Sequence, residues 1–222
     1  VTPAVPAAAS ARVHAAARRE GWQLELVQSS EFDDEQYLSN PVDRCYHCKS
    51  HLYRALDLLV ENRLGGGAVL MSGANLDDLG EYRPGLQAAA ERSVRHPFVE
   101  ASIDKREVRD IARHLGLDVA DVPASPCLAS RLYTGTRVSA ARLRAVDLGE
   151  ELVRFETGIE VVRCRIRLDH VLVELHDDDR ARIDDALLRS TLELMRSAEP
   201  GLASIALDAQ PYRPGRSFVV ST

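Results

Sequence analysis

Cys45 and Cys48 bracket Tyr46-His47 in a C-x-x-C, preceded by Asn40-Pro41 and Asp43-Arg44. A helix starting at Cys45 would carry both thiols on its first turn, where the positive dipole end favours thiolate. Such a pair suits a soft metal, a redox couple or a structural role, and the motif alone does not choose among them. A third thiol, Cys127, lies in Pro126-Cys127-Leu128-Ala129-Ser130-Arg131. Ser130 offers that thiol a hydrogen bond and Arg131 a positive charge, both of which lower a cysteine pKa. An isolated cysteine is otherwise a buried packing residue. Three thiolates can hold an iron–sulfur cluster with one iron left open. A zinc site needs a fourth ligand, for which His47 is the local candidate.

Two further clusters suit anions and nucleotides. The run Ser72-Gly73-Ala74-Asn75-Leu76-Asp77-Asp78-Leu79-Gly80-Glu81-Tyr82-Arg83-Pro84-Gly85 follows a short apolar segment, AVLMSG. Loops at the carboxyl ends of parallel strands are where open α/β sheets bind ligands. Asn75 can read a polar edge there, and Asp77, Asp78 or Glu81 can hold magnesium beside phosphates. The same acids can equally serve as solvated caps. Arg163, Arg165 and Arg167 occupy alternate positions of an expected strand and share one face. They either embrace a phosphate or carboxylate or form a solvated outer face. Cys164 points the opposite way, into a core.

These residues need a scaffold. The sequence predicts a helix over 9–20 ended by Gly21, a strand over 22–27, and a polar loop reaching Asn40-Pro41. A helix over about 45–61, a turn at Gly65-Gly66-Gly67 and a buried strand AVLMSG come next. A short helix through LQAAAER precedes a longer one opening with a capping box, Asp104 to Glu107, and closed by Gly116. The segment DVPASPCLASRLYTGT has no periodicity and is expected to be an exposed loop. Beyond it come a helix over 139–156, the strands VVRCRIRL and HVLVEL, a helix over 178–197 and the strands SIALDA and SFVVS. Alternating helices and short strands indicate an α/β domain with a mainly parallel sheet, followed by a smaller α+β domain. The boundary is expected near Gly135, giving domains 1–134 and 135–222.

At 222 residues, 45% hydrophobic, the chain can bury a core. A net charge of −6 argues against a general nucleic-acid or membrane-surface binder. No apolar run approaches the roughly 20 residues that span a bilayer, and no stretch has the make-up of a secretory signal. Four unevenly spaced cysteines are too few for a disulfide scaffold, which points to a reducing, cytoplasmic setting.

The segments NPVDRCYHCKSHLYRAL, GANLDDLGEYRPGLQAAAERSVRHPF, ARHLGL and PASPCLASRLYTGTRV resemble, in order, those of the LarE family; VVRCRIR and ALDAQPYRPGR also fit. The resemblance covers nearly the whole chain. It implies an ATP pyrophosphatase (PP-loop) fold and an ATP-dependent sulfur transferase of nickel-pincer cofactor biosynthesis. Such an enzyme adenylates a carboxylate of pyridinium-3,5-biscarboxylic acid mononucleotide and replaces AMP by sulfur. The acyl adenylate supplies the leaving group that a bare carboxylate lacks. Some members sacrifice the sulfur of a cysteine at the PCLASR position, and others add a C-x-x-C and hold a 4Fe–4S cluster. Cys45, Cys48 and Cys127 match the second pattern, with Cys127 also the catalytic residue.

By the same resemblance, Ala74, Asn75, Asp77, Asp78 and Arg131 are expected at ATP and its Mg2+. Ser130, Arg163 and Arg165 are expected at the nucleotide substrate. The family's S-G-G-x-D-S phosphate loop is absent from the sequence, and the first residue is Val1. The expectation is therefore an N-terminal truncation without the first strand and phosphate loop, hence an inactive fragment. The resemblance also implies a homo-oligomer. The alternatives are a tRNA sulfur transferase of the same fold, disfavoured by the acidic charge, and a non-catalytic iron–sulfur or zinc protein that has lost ATP use.

Overall fold

The computed structural model describes residues 2–64, 68–80, 83–213 and 215–217. The turn expected at Gly65-Gly66-Gly67, the candidate Glu81, and all but the first residue of SFVVS lie outside them. In chain order the helices are α1 (Ala7–Glu20), α2 (Glu35–Leu38), α3 (Arg44–Leu64), α4 (Pro84–Glu91), α5 (Pro97–Glu100), α6 (Lys105–His114), α7 (Ala140–Thr157) and α8 (Asp185–Arg196). The strands are β1 (Arg163–Arg167), β2 (His170–Glu174) and β3 (Ser204–Leu207). The chain is thus mixed α/β. No helix among the described residues is long and apolar enough to cross a membrane.

Two compact units emerge, one of Val1–Leu26, Leu38–Val42 and Ser125–Thr222, the other of Val27–Tyr37 and Asp43–Ala124. They cut the chain differently from the boundary expected at Gly135. Hydrogen bonds explain the difference: Leu128 N–H donates to Ala4 O, Val138 N–H to Leu38 O and Tyr133 N–H to Ile166 O. The loop before Gly135 is therefore stitched to the segment that follows it and to the first residues of the chain.

In the first unit, β1 and β2 form an antiparallel hairpin, with Arg163 opposite Glu174 and Cys164 opposite Val173. β3 joins β2 in parallel, so the order is β1-β2-β3. Ser139 and Asp184 cap α7 and α8 by accepting the N–H groups of Arg142 and Leu187, as their residue types favour. The α7 helix ends at Gly158, whose φ of 68° is the left-handed conformation glycine adopts freely. The two helices pack together and bury Leu143, Val146, Val153 and Met195, while Cys164, Ile166, Val171 and Val173 are buried on the strands. Gly149 makes the approach possible: a Cβ there would lie 2.7 Å from Met195 Sδ and 3.4 Å from Cys164 Sγ.

In the second unit, α3 and α4 pack around Tyr53, Ala88, Ala89 and Val94, with Tyr46, Leu56 and Leu70 against them. The capping box of α6 is present in both directions, Glu107 N–H to Asp104 Oδ1 and Asp104 N–H to Glu107 Oε2. The expected parallel sheet reduces, among the described residues, to one parallel bridge between Met71 and Arg95. Ser72 N–H donates to Arg95 O and Arg95 N–H to Leu70 O, both at 2.9 Å. AVLMSG is not a buried strand, since Val69 and Met71 are more than half exposed. The expected strand at 22–27 is likewise extended without ladder structure, and Trp22 and Leu26 are exposed. A parallel strand exists through neighbours on its edges and helices on its faces, which alternating sequence alone does not supply. The helix expected over 178–197 shortens to α8, with a 3-10 segment at Asp177–Arg182 ahead of it.

Candidate functional site

The α3 helix begins at Arg44, so Cys45 and Cys48 lie three residues apart on one face of its start. Neither is in a disulfide, and both are half-buried. Tyr46 N–H donates to Asp43 O at 2.7 Å and closes the entering turn. The α4 helix comes in closely here, because Gly85 has no side chain. A Cβ at Gly85 would sit 2.9 Å from Lys49 Cγ and 3.5 Å from the Cys45 carbonyl oxygen. The glycine of the YRPG motif therefore shapes the ground beneath the first thiol. Further along α3, His51 Nε2 meets Asp34 Oδ2 at 2.9 Å, and its Nδ1 meets Ser30 Oγ.

The nucleotide-loop candidates of the same unit spend their side chains on the loop itself. Asn75 N–H donates to Asp78 Oδ2, Asp77 N–H to Asn75 Oδ1, and Lys105 N–H to Asp77 Oδ2. Arg83 pairs with Asp78 Oδ1 at 2.9 Å. Ala74 N–H donates to Ser72 Oγ, which in turn meets His96 Nδ1 at 2.7 Å. The loop lies at the carboxyl end of the Leu70–Ser72 segment, as expected, but its acids act as internal caps.

The segment expected to be an exposed loop is exposed over its first half, up to Cys127, and mostly buried from Leu128 onward. Leu128, Ala129, Arg131 and Leu132 are buried in and beside a 3-10 turn, Leu128–Arg131, while Cys127 just ahead of it is exposed. Burial follows from the sequence LASRL placing apolar groups against β1, where Leu132 bridges Ile166. Asn40, with φ 57°, donates its buried side-chain amide to Tyr133 O at 2.8 Å and Thr136 O at 2.9 Å.

Arg131 lies beside Cys127, as expected, and its charge acts on that thiol. Its guanidinium grips Glu150 and donates to Pro126 O, Cys127 O and Ser130 Oγ. It is 1% exposed and braces the cysteine loop through these bonds. Burial opposes its charge, yet the Glu150 carboxylate holds its pKa above the ordinary value.

Arg163 and Arg165 are buried and Arg167 is exposed, so the solvated-face reading holds for the last only. Arg165 Nε lies 2.6 Å from Glu174 Oε2, an ion pair without hydrogen-bond angles. Arg165 Nη1 donates to Ser130 O at 2.9 Å, and Ser217 Oγ donates to the same carbonyl. Arg216 bridges Glu174 and Asp208. Burial pushes the Glu174 carboxyl up despite these partners. Arg163 stacks over the Tyr212 ring, 5.3 Å from its centroid, and burial lowers its pKa. Sequence reasoning missed Glu150, Glu174, Asp208 and Arg216, because a charged residue on a helix or strand looks the same in sequence whether it faces water or a partner.

Cys164 is fully buried, and burial pushes its thiol far up, so it is a core residue. The other three are not in disulfides, two in one unit and one in the other, and thiols are the donor type of a thiolate-held cluster. Within either unit, no three His, Cys, Asp or Glu side chains among the described residues gather as a metal site.

Fold and sites together define a mixed α/β protein with accessible thiols and a buried arginine–carboxylate network. No family model matches the chain. It is 31% identical over 193 residues to the pyridinium-3,5-bisthiocarboxylic acid mononucleotide synthase of Lactiplantibacillus plantarum, covering 86% of this chain and 68% of the relative. An uncharacterized protein of Synechocystis sp. is 37% identical, covering 86% and 70%. An uncharacterized protein of Methanocaldococcus jannaschii is 30% identical, covering 65% and 55%. The chain belongs to the family of the pyridinium-3,5-bisthiocarboxylic acid mononucleotide synthase, the LarE family.

Proposed function

We propose that this chain is part of an ATP-dependent sulfur transferase that converts the carboxylates of pyridinium-3,5-biscarboxylic acid mononucleotide to thiocarboxylates for a nickel-pincer cofactor. The observation that carries the reading is the Arg165–Ser130 hydrogen bond of 2.9 Å, which ties the paired arginines to the cysteine loop. Kinship with the Lactiplantibacillus synthase supports it. In the reaction, a substrate carboxylate oxygen attacks the α-phosphorus of ATP and pyrophosphate leaves. A sulfur nucleophile at the oxidation level of hydrosulfide then forms a bond to the acyl carbon, and the bond to AMP oxygen breaks. No electrons are gained or lost, and one proton is released.

The chain's own residues hold and orient. Arg163, beside the Tyr212 ring, binds the mononucleotide phosphate together with Arg165. The Ser72–Asp78 loop takes the adenylate. Cys45, Cys48 and Cys127 ligate a 4Fe–4S cluster, which supplies an open iron able to carry the transferable sulfide. Anaerobic reconstitution of each Cys→Ala variant tests this. Loss of Cys45, Cys48 or Cys127 abolishes the charge-transfer absorption and iron content, and Cys164→Ala keeps both. A four-iron cluster retained by Cys127→Ala would overturn the shared site and leave Cys127 as a sacrificial sulfur donor.

A further inference from the structure

We infer that His96 is a ligand-contacting residue of the nucleotide edge, presenting its imidazole Nε2–H as a donor to an acceptor on a bound nucleoside monophosphate. The inference rests on the nucleotide reading of the Ser72–Asp78 loop. Leu70–Ser72 and Arg95 run parallel, so Ser72 and His96 both leave the carboxyl end of the one parallel pairing seen in their unit among the described residues. That is the edge at which open α/β sheets take ligands.

The side chains expected to read a ligand there are already engaged. Asn75, Asp77 and Asp78 each give an oxygen to a backbone N–H of the loop or of α6. His96 is differently placed. Its Nδ1 is held by Ser72 Oγ at 2.7 Å, it is half-buried, and its Nε2 engages no protein group among the described residues. Ser72 Oγ accepts the Ala74 N–H at 3.3 Å. With the Ser72 hydroxyl hydrogen assigned to His96 Nδ1, the imidazole proton lies on Nε2. The ring is thus oriented by a serine that also shapes the loop, with a donor free. A donor fits a phosphoryl oxygen or a purine ring nitrogen, and AMP offers both.

The test is NMR of the 222-residue chain with labelled histidine and backbone amides, titrated with AMP, adenosine and inorganic phosphate. AMP is expected to shift the His96 imidazole nitrogens along with the Ala74 and Asn75 amides. His96→Gln should weaken AMP by about 3- to 10-fold, the effect of one neutral hydrogen bond, and Ser72→Ala by less. Adenosine moving the imidazole as AMP does identifies a ring nitrogen as the acceptor. Movement with AMP and phosphate alone identifies a phosphoryl oxygen. Either supports the inference. If AMP moves the Ala74 and Asn75 amides while the imidazole stays fixed and His96→Gln binds normally, the inference is wrong and the nucleotide reading survives. If nothing moves at several millimolar AMP, both fall.

Discussion

Arg131 and Glu150 meet in a two-pronged ion pair, Nε to Oε1 at 2.8 Å and Nη2 to Oε2 at 3.0 Å, with both side chains 1% exposed. Glu150 Oε1 also accepts the Cys164 N–H, so the pair joins the cysteine loop, α7 and β1 at one point. Removing one member leaves a buried charge alone. Arg131→Ala is expected to cost about 3–5 kcal/mol in urea unfolding, and the double variant Arg131→Met with Glu150→Leu much less than the sum of the singles. Additive losses would show that the two do not act as a pair.

Thiol chemistry should separate the four cysteines. Native alkylation is expected to modify exposed Cys127 first and half-buried Cys45 and Cys48 next. Cys164, buried and with its thiol held protonated, should react only after unfolding. Mass spectrometry of a timed iodoacetamide reaction reads the order. Early labelling of Cys164 would contradict the packing of β1 against α7.

A methyl group at Gly149 has no room. Gly149→Ala should destabilise by about 1–3 kcal/mol through overpacking against Met195, despite alanine's better helix propensity. Adding Met195→Ala should recover part of the loss, because it clears the Sδ that the new Cβ meets. A stabilised Gly149→Ala variant would mean that α8 moves aside freely.

Acid should loosen the attachment of the Glu31–Leu38 region to α3. Burial opposes the Asp34 charge, but the His51 and Gln36 hydrogen bonds outweigh it and hold the carboxyl below its usual 3.8. A folded-state pKa below the unfolded one contributes stability that is present above the unfolded value and lost as pH falls through the folded value. The loss is therefore expected below about pH 4. Asp34→Asn should lower stability at neutral pH and flatten the decline on the acid side. Hydrogen exchange at Gln36 and His51, compared between variant and wild type, locates the effect.

For the proposed substrate site, Arg163→Ala is expected to weaken mononucleotide binding by about 1.5–3 kcal/mol. Calorimetry with the mononucleotide measures it. Unchanged affinity would leave Arg163 a structural residue beside Tyr212.

Local signals in the sequence were reliable where a few neighbouring residues decide the outcome. Ala-rich repetition before Gly21 and the Asp104–Glu107 box mark helix ends fixed within one turn, whereas the Asp184 cap lies inside the helix expected over 178–197. The hairpin of β1 and β2 was also readable, since alternation and proximity suffice. Residues 22–27 and AVLMSG failed because a parallel strand depends on partners distant in sequence. The PCLASRL segment looked like an open loop because its lack of periodicity reflects a 3-10 turn, not exposure. The arginines of β1 were half understood: shared facing was right, but Glu174 and the Ser130 carbonyl, rather than solvent, meet Arg165.

The three-part make-up of the first unit also bears on synthesis at the ribosome. Asn40 must wait for Tyr133 and Thr136, the latter 96 positions later, before its amide has acceptors. At about 5–20 residues per second, that interval lasts about 5–20 s, during which Asp43–Ala124, nearly all of the other unit, is synthesised. Vectorial production thus favours maturation of Asp43–Ala124 first, with α1 left without its later partners until the trailing strands arrive. Nascent chains stalled shortly after Ala124 should resist protease within α3 and α4 while remaining cleavable at α1. Equal protection of both would mean that α1 finds other contacts before its final ones exist.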